Sequence, residues 1–115
     1  MRQKIYIAGK ITGEDWKKTK AKFSYVQRIL EEYGYNVENP CDHQIEDGTW
    51  EGYMKQGLHA MLDCDGVFAL DNWKQSRGAR IEVKLALDLG LFVLYEDRDL
   101  NDMVQYIMNN EGRRW

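Results

Sequence analysis

Residues 66–82 read Gly66-Val67-Phe68-Ala69-Leu70-Asp71-Asn72-Trp73-Lys74-Gln75-Ser76-Arg77-Gly78-Ala79-Arg80-Ile81-Glu82. Gly66 to Leu70 is a short apolar run that does not alternate with polar residues, the pattern of a strand buried on both faces. Asp71 to Arg77 is polar and reads as a loop. From Gly78 the apolar and small residues return at helical spacing to about Leu89, and Gly90 then stops the helix. A strand buried on both faces needs helices on both sides, and a strand, loop and helix in succession call for a parallel sheet.

The same unit repeats on either side of this stretch. Leu91 to Tyr95, LFVLY, is a further continuous apolar strand, followed by a helix over Leu100 to Met108 and a polar tail, Glu111 to Trp115. At the other end, Lys4 to Ala8, KIYIA, is a strand that stops at Gly9. From about Asp15 to Tyr33 the residues Trp16, Phe23, Val26, Ile29, Leu30 and Tyr33 mark a helix ended by Gly34. Tyr35 to Glu38 is a short strand closed by Asn39-Pro40, and Cys41 to Thr49 is irregular. Trp50 to Leu62 is a helix weakened by Gly52 and Gly57. The expectation is one α/β domain over residues 1–115, a flavodoxin- or Rossmann-like three-layer sandwich whose parallel sheet has about four strands in the order 2-1-3-4. Ligand-binding residues belong past the carboxyl ends of the strands, in the loops Gly9 to Glu14, Asn39 to Asp47, Asp71 to Gly78 and Glu96 to Asp99.

Composition narrows the partners. The net charge is −3, which speaks against a duplex nucleic-acid partner. Lys17, Lys18, Lys20 and Lys22 cluster, but Asp15, Glu31 and Glu32 offset them, as on a solvated helix face. No apolar run approaches a membrane span and no charged-then-apolar leader opens the sequence. Cys41 and Cys64 make no disulfide framework. The expected compartment is the cytoplasm.

The first loop, Gly9-Lys10-Ile11-Thr12-Gly13, is neither a Walker phosphate loop nor a G-x-G-x-x-G fingerprint. Glu82 is the more informative residue. Side chains on a helix tilt toward its N-terminus, so Glu82 can point back into the crevice while Ala79 and Ala86 pack close to the sheet. The alternatives are a salt bridge to Arg80 or Lys84, or a solvated glutamate favoured by the helix dipole. Cys41, His43, His59 and Cys64 match no standard zinc spacing, and no nucleophile elbow surrounds Ser76. Neither a metal nor a cofactor is expected. Trp50 and Tyr53 read as core or cover, whereas Trp73 lies in an expected pocket loop.

Tyr6-Ile7-Ala8-Gly9, the later Asn39-Pro40, Cys64-Asp65 before an apolar strand, and Asn72-Trp73-x-x-Ser76-x-Gly78-Ala79-x-x-Glu82 followed by Ala86 and Leu89-Gly90 form a set. In this order and spacing, the set resembles the nucleoside 2-deoxyribosyltransferase-like proteins, in particular their small members often borne by phages and prophages. The resemblance implies cleavage or transfer of an N-glycosidic bond. Glu82 would attack C1′ and form a glycosyl ester that water or another base resolves. Tyr6 matches the tyrosine that places that glutamate. Ser76 matches the serine of the hydrolase branch, which contacts a 5′-phosphate, where the transferase branch carries an aspartate. Two positions depart from the pattern. Gly57 stands where the enzymes have an aspartate that helps protonate the leaving base, and Lys10 replaces a proline or serine.

The expected site is therefore Glu82 and Tyr6 for catalysis, with Gly9, Lys10, Ile11, Asp71, Trp73, Ser76 and Gly78 around the ligand. The expected ligand is a nucleoside or nucleotide, and the expected assembly a homodimer or larger homo-oligomer. Gly57 opens the alternative that the protein holds or sequesters a nucleotide, or a signal derived from one, without turning it over. A third reading, a vestigial pocket in an interaction module, would show as a site blocked by Trp73 or Lys10.

Overall fold

The computed structural model describes residues 2–43 and 48–111. Four strands, β1 (Lys4–Ala8), β2 (Asn36–Glu38), β3 (Gly66–Ala69) and β4 (Phe92–Tyr95), form one sheet in the order β2-β1-β3-β4. All three pairings are parallel, with Ile5 opposite Val37 and Gly66, and Gly66 opposite Phe92. Strand order and direction are those expected from the apolar runs.

Alternation along β1 explains the two cores. Ile5 and Ile7 face one side, with Phe23, Val26 and Leu30 of α1 (Trp16–Tyr33) and Met103 and Ile107 of α4 (Asn101–Glu111). Tyr6 and Ala8 face the other, with Met61 of α2 (Trp50–Leu62) and Ala79, Val83 and Ala86 of α3 (Arg77–Asp88). Successive strand residues point to opposite faces, so one strand supplies both layers. Small residues line the α3 face, which lets that helix lie close to the sheet.

Local signals set the helix ends. Asp15 lies outside α1 as its N-cap and accepts from the Lys17 N–H, while Gly34 (φ +124°) closes the helix by donating to Glu31 and Leu30 carbonyls. Helix α3 starts at Arg77, one residue before the glycine expected to open it, because the Ser76 hydroxyl caps it and accepts from the Ala79 N–H at 3.1 Å. Asp65 ties the far end of the sheet by accepting from the Lys4 N–H at 2.8 Å. No described helix is long and apolar enough to cross a membrane. Residues 44–47 of the expected second pocket loop, and residues 112–115 of the expected polar tail, lie outside the described residues.

Candidate functional site

A cavity of about 810 Å³ opens past the carboxyl ends of β1, β2 and β3. Its walls are Gly9 to Thr12 after β1, Pro40, Cys41 and His43 after β2, and Gln75 to Ala79 after β3. A further wall is a stripe of α2, Trp50, Tyr53, Met54, Gly57 and Ala60, and Trp16 of α1 also borders the space. The size falls in the range of about 300–1,000 Å³ typical of small-molecule sites.

Side chains that bond to loop backbones hold these walls in place. Lys10 donates its N–H to Asn72 Oδ1 at 3.0 Å, which pins the first loop to the one after β3. Asn39 is 3% exposed. Its Oδ1 accepts from the Cys41 N–H at 2.9 Å and its Nδ2 donates to Gln27 Oε1 at 2.9 Å. That capped turn carries Cys41 and His43 to the cavity, and His43 Nε2 meets Glu38 Oε1 at 3.0 Å. Gly9 has no room for a side chain, because a Cβ there would lie 2.5 Å from Leu70 Cδ1.

Glu82 and Tyr6 meet in this cavity. The Tyr6 hydroxyl donates to Glu82 Oε2 at 2.7 Å, across 76 residues of sequence. Tyr6 is 2% exposed and Glu82 6% exposed. Neither rival partner of Glu82 engages it: Arg80 donates to the Lys74 carbonyl and Lys84 pairs with Asp88. Burial pushes the Glu82 carboxyl up from its ordinary 4.5 to about 7, against the lowering effect of the Tyr6 hydrogen bond. The phenol of Tyr6 is raised well above its ordinary value, first by burial and then by the neighbouring Glu82 charge.

Gly57 sits over the pair. A Cβ built there would lie 2.8 Å from Glu82 Oε2 and 2.8 Å from the Tyr6 hydroxyl. A side chain at this position would have to displace the Glu82 carboxyl or the Tyr6 hydroxyl, which occupy the volume of its first atom.

Of the residues expected at the ligand, the structure brings Gly9, Lys10, Ile11, Ser76 and Gly78 to the cavity together with Tyr6 and Glu82. It does not bring Asp71 and Trp73. The Asp71 carboxylate pairs with Lys22 of α1 at 2.7 Å, and its N–H donates to Glu96 Oε1, so it faces the opposite layer. Trp73 packs against Tyr95 of β4 with ring centroids 5.9 Å apart and lies under Lys74. The loop Glu96 to Asp99 also lies away from the cavity. It winds as a π turn into α4 and is held by Asp99, which accepts from the Tyr95 N–H at 2.8 Å. Neither Trp73 nor Lys10 blocks the site, since Trp73 is outside it and Lys10 pairs with Glu14 at 3.5 Å. The described residues contain no cluster of His, Cys, Asp or Glu able to hold a metal ion.

The sequence reading missed Trp16, Trp50, Tyr53 and Met54 as cavity residues, whereas Arg77 falls in an expected pocket loop. The signal was the α2 stripe at helical spacing, which has the look of a core face but borders an open space. Arg77, in the first turn of α3, lies 4.1 Å above the Trp50 ring and joins the two helices.

A family model described as a domain of unknown function, DUF4406, matches residues 3–95. No curated protein matches the chain. Among solved structures, one reported with the characterization of a 2-deoxyribosyltransferase from the psychrotolerant bacterium Bacillus psychrosaccharolyticus is similar, with a TM-score of 0.62 and 24% identity. The match covers 80% of this chain and 70% of that one, and at this identity the likeness is one of fold.

Proposed function

The chain belongs to the DUF4406 family, and we propose that it binds a nucleotide in the cavity and cleaves or transfers its N-glycosidic bond with Glu82 as nucleophile. The observation that carries this reading is the buried Tyr6–Glu82 hydrogen bond of 2.7 Å in the wall of a nucleotide-sized cavity. The carboxylate attacks C1′, the C1′–N bond breaks, and a glycosyl ester of Glu82 forms. Water or a second base then attacks C1′ and frees the carboxylate. Tyr6 positions the oxygen it bonds and leaves the other free to attack. A 2-deoxyribosyltransferase on a similar fold fits this chemistry.

Ser76 and the first turn of α3 are the proposed seat of a 5′-phosphate. The Ser76 oxygen accepts from Ala79 and its own hydrogen remains available to an anion. Helix N-termini favour negative charge, and Lys10 and Arg77 add positive charge at the same cavity.

One observation favours a second reading, in which the nucleotide is held without turnover. Gly57 puts no proton donor beside the Tyr6–Glu82 pair. Incubation with deoxynucleosides, nucleotides and signalling nucleotides, followed by chromatography and intact mass measurement, separates the two. Release of a free base that is lost in Glu82→Ala supports the enzyme. Tight binding with no release supports the holder.

A further inference from the structure

Glu82 is the single carboxylate among the described residues that line the cavity. It is 6% exposed, and its hydrogen bond comes from a neutral hydroxyl. None of the ion pairs among the described residues includes it. Among the described cavity residues, Lys10 pairs with Glu14 and Arg77 lies over Trp50, and neither pairs with Glu82. A buried carboxylate without a counter-charge costs desolvation energy. A ligand carrying positive charge would relieve that cost, whereas a neutral ligand would not. The lining also suits a flat cation, for Trp16 and Tyr53 border the same cavity and are 54% and 49% exposed. Aromatic faces attract cations within about 6 Å.

The proton inventory points the same way. A neutral base needs a proton as it departs, and a positioned acid contributes about 10²–10⁴-fold. Among the described residues, Gly57 is the α2 position that abuts the pair, and it carries no donor. His43 is turned to Glu38 at 3.0 Å. Burial pushes the Cys41 thiol up to about 11, which makes it a poor acid. A base that is already cationic needs no proton.

We propose that the substrate is a nucleotide with a cationic base, an N-glycosylpyridinium, an inference that rests on the N-glycosidic reading above. A carboxylate oxygen of Glu82 bonds to C1′ as the C1′–N bond breaks, and the electron pair of that bond goes to the ring nitrogen. The pyridine leaves neutral, and anion plus cation become a neutral ester plus a neutral base, with no proton moved. Water then attacks C1′ as the C1′–O bond of the ester breaks and its electron pair returns to Glu82; the water oxygen becomes the anomeric hydroxyl, and one of its protons passes to the freed carboxylate on its way to solvent.

The test is a panel of wild-type reactions followed by chromatography of the free base. Nicotinamide mononucleotide and its dinucleotide form the cationic arm. Ribo- and deoxyribonucleoside 5′-monophosphates of the ordinary neutral bases form the other. The expected result is nicotinamide release at least about a hundredfold faster than release of any neutral base, lost in Glu82→Gln. Comparable release of neutral bases overturns this inference and leaves the N-glycosidic reading standing. Release from neither arm overturns both, and nicotinamide release that persists in Glu82→Gln overturns the role given to the carboxylate.

Discussion

Replacing Glu82 with glutamine should make the protein more stable at alkaline pH and leave it nearly unchanged in acid. The amide has the shape of the carboxyl and its oxygen can still accept from Tyr6, so the packing is kept. What changes is the charge. Burial raises the Glu82 carboxyl from 4.5 to about 7, so between those values the native protein holds a proton that the unfolded chain has released. Stability then falls as pH rises through this window. Below it both states are protonated and the contribution is complete; above it both are ionised and it is gone. The shift from 4.5 to about 7 corresponds to roughly 3 kcal/mol, about 1.4 kcal/mol per unit. Glutamine does not titrate, and all other groups cancel when the two proteins are compared at each pH. Urea unfolding of wild type and Glu82→Gln at about pH 4.5 and about pH 8 measures the difference directly. The stability of the variant relative to wild type should rise by roughly 3 kcal/mol across that interval. A difference that stays constant with pH would refute the claim that a charged Glu82 is poorly accommodated in the free protein.

Three further substitutions probe the same geometry. Tyr6→Phe removes the hydrogen bond that lowers the Glu82 carboxyl, so the acid limb of the kcat/KM profile should move to higher pH and activity near neutrality should fall about tenfold or more; an unshifted limb would remove Tyr6 from its positioning role. Gly57→Ala is favoured by helix propensity by about 1 kcal/mol, yet its Cβ would lie 2.8 Å from both members of the pair. Base release should drop about a hundredfold, as expected of a displacement of about 1 Å at a reacting group, and full activity would show that the pair tolerates separation. Ser76→Asp keeps the cap of α3, because aspartate accepts from the Ala79 N–H as well as serine does. Calorimetry should find a preference of about tenfold or more for a 5′-monophosphate over its nucleoside in wild type and the reverse in the variant; equal affinities in both proteins would remove the phosphate seat.

The middle of the sheet was legible because β3 carries apolar residues without interruption. Val67, Phe68, Ala69 and Leu70 are all fully buried, as a short apolar run bounded by turn residues is in a strand covered on both faces. Glu82 was legible for a related reason. Helical spacing set it beside Ala79 and Val83 on the face turned to the sheet, where those two are 1% and 0% exposed and Glu82 is 6%. Asp71 and Trp73 were not, because a loop residue's direction is fixed by distant partners. Lys22 of α1 and Glu96 after β4 fix Asp71, and Tyr95 fixes Trp73. None of these pairings leaves a trace in local periodicity. The α2 stripe misled in the other direction. Trp50, Tyr53 and Met54 recur as a core face does, but of α2 only Gly57 and Met61 are buried, and the space beside the others is the cavity.

The choice of partner for Glu82 bears on its chemistry as well as its stability. A lysine or arginine in the place of Tyr6 would offset the buried charge and pull the carboxyl back toward its ordinary value. It would also hold the carboxylate in an ion pair and weaken it as a nucleophile. The Tyr6 hydroxyl fixes one oxygen at 2.7 Å and leaves the charge uncompensated. Cations are available nearby, since Lys10 and Arg77 line the same cavity, yet each is occupied by a different group. An arrangement that keeps an anion buried, oriented and unneutralised lowers the stability of the empty protein. The cost diminishes when positive charge enters the cavity, either on a cationic base or on C1′ as the glycosidic bond breaks. The interaction is then stronger in the transition state than in the free protein, which is the condition for it to accelerate the reaction.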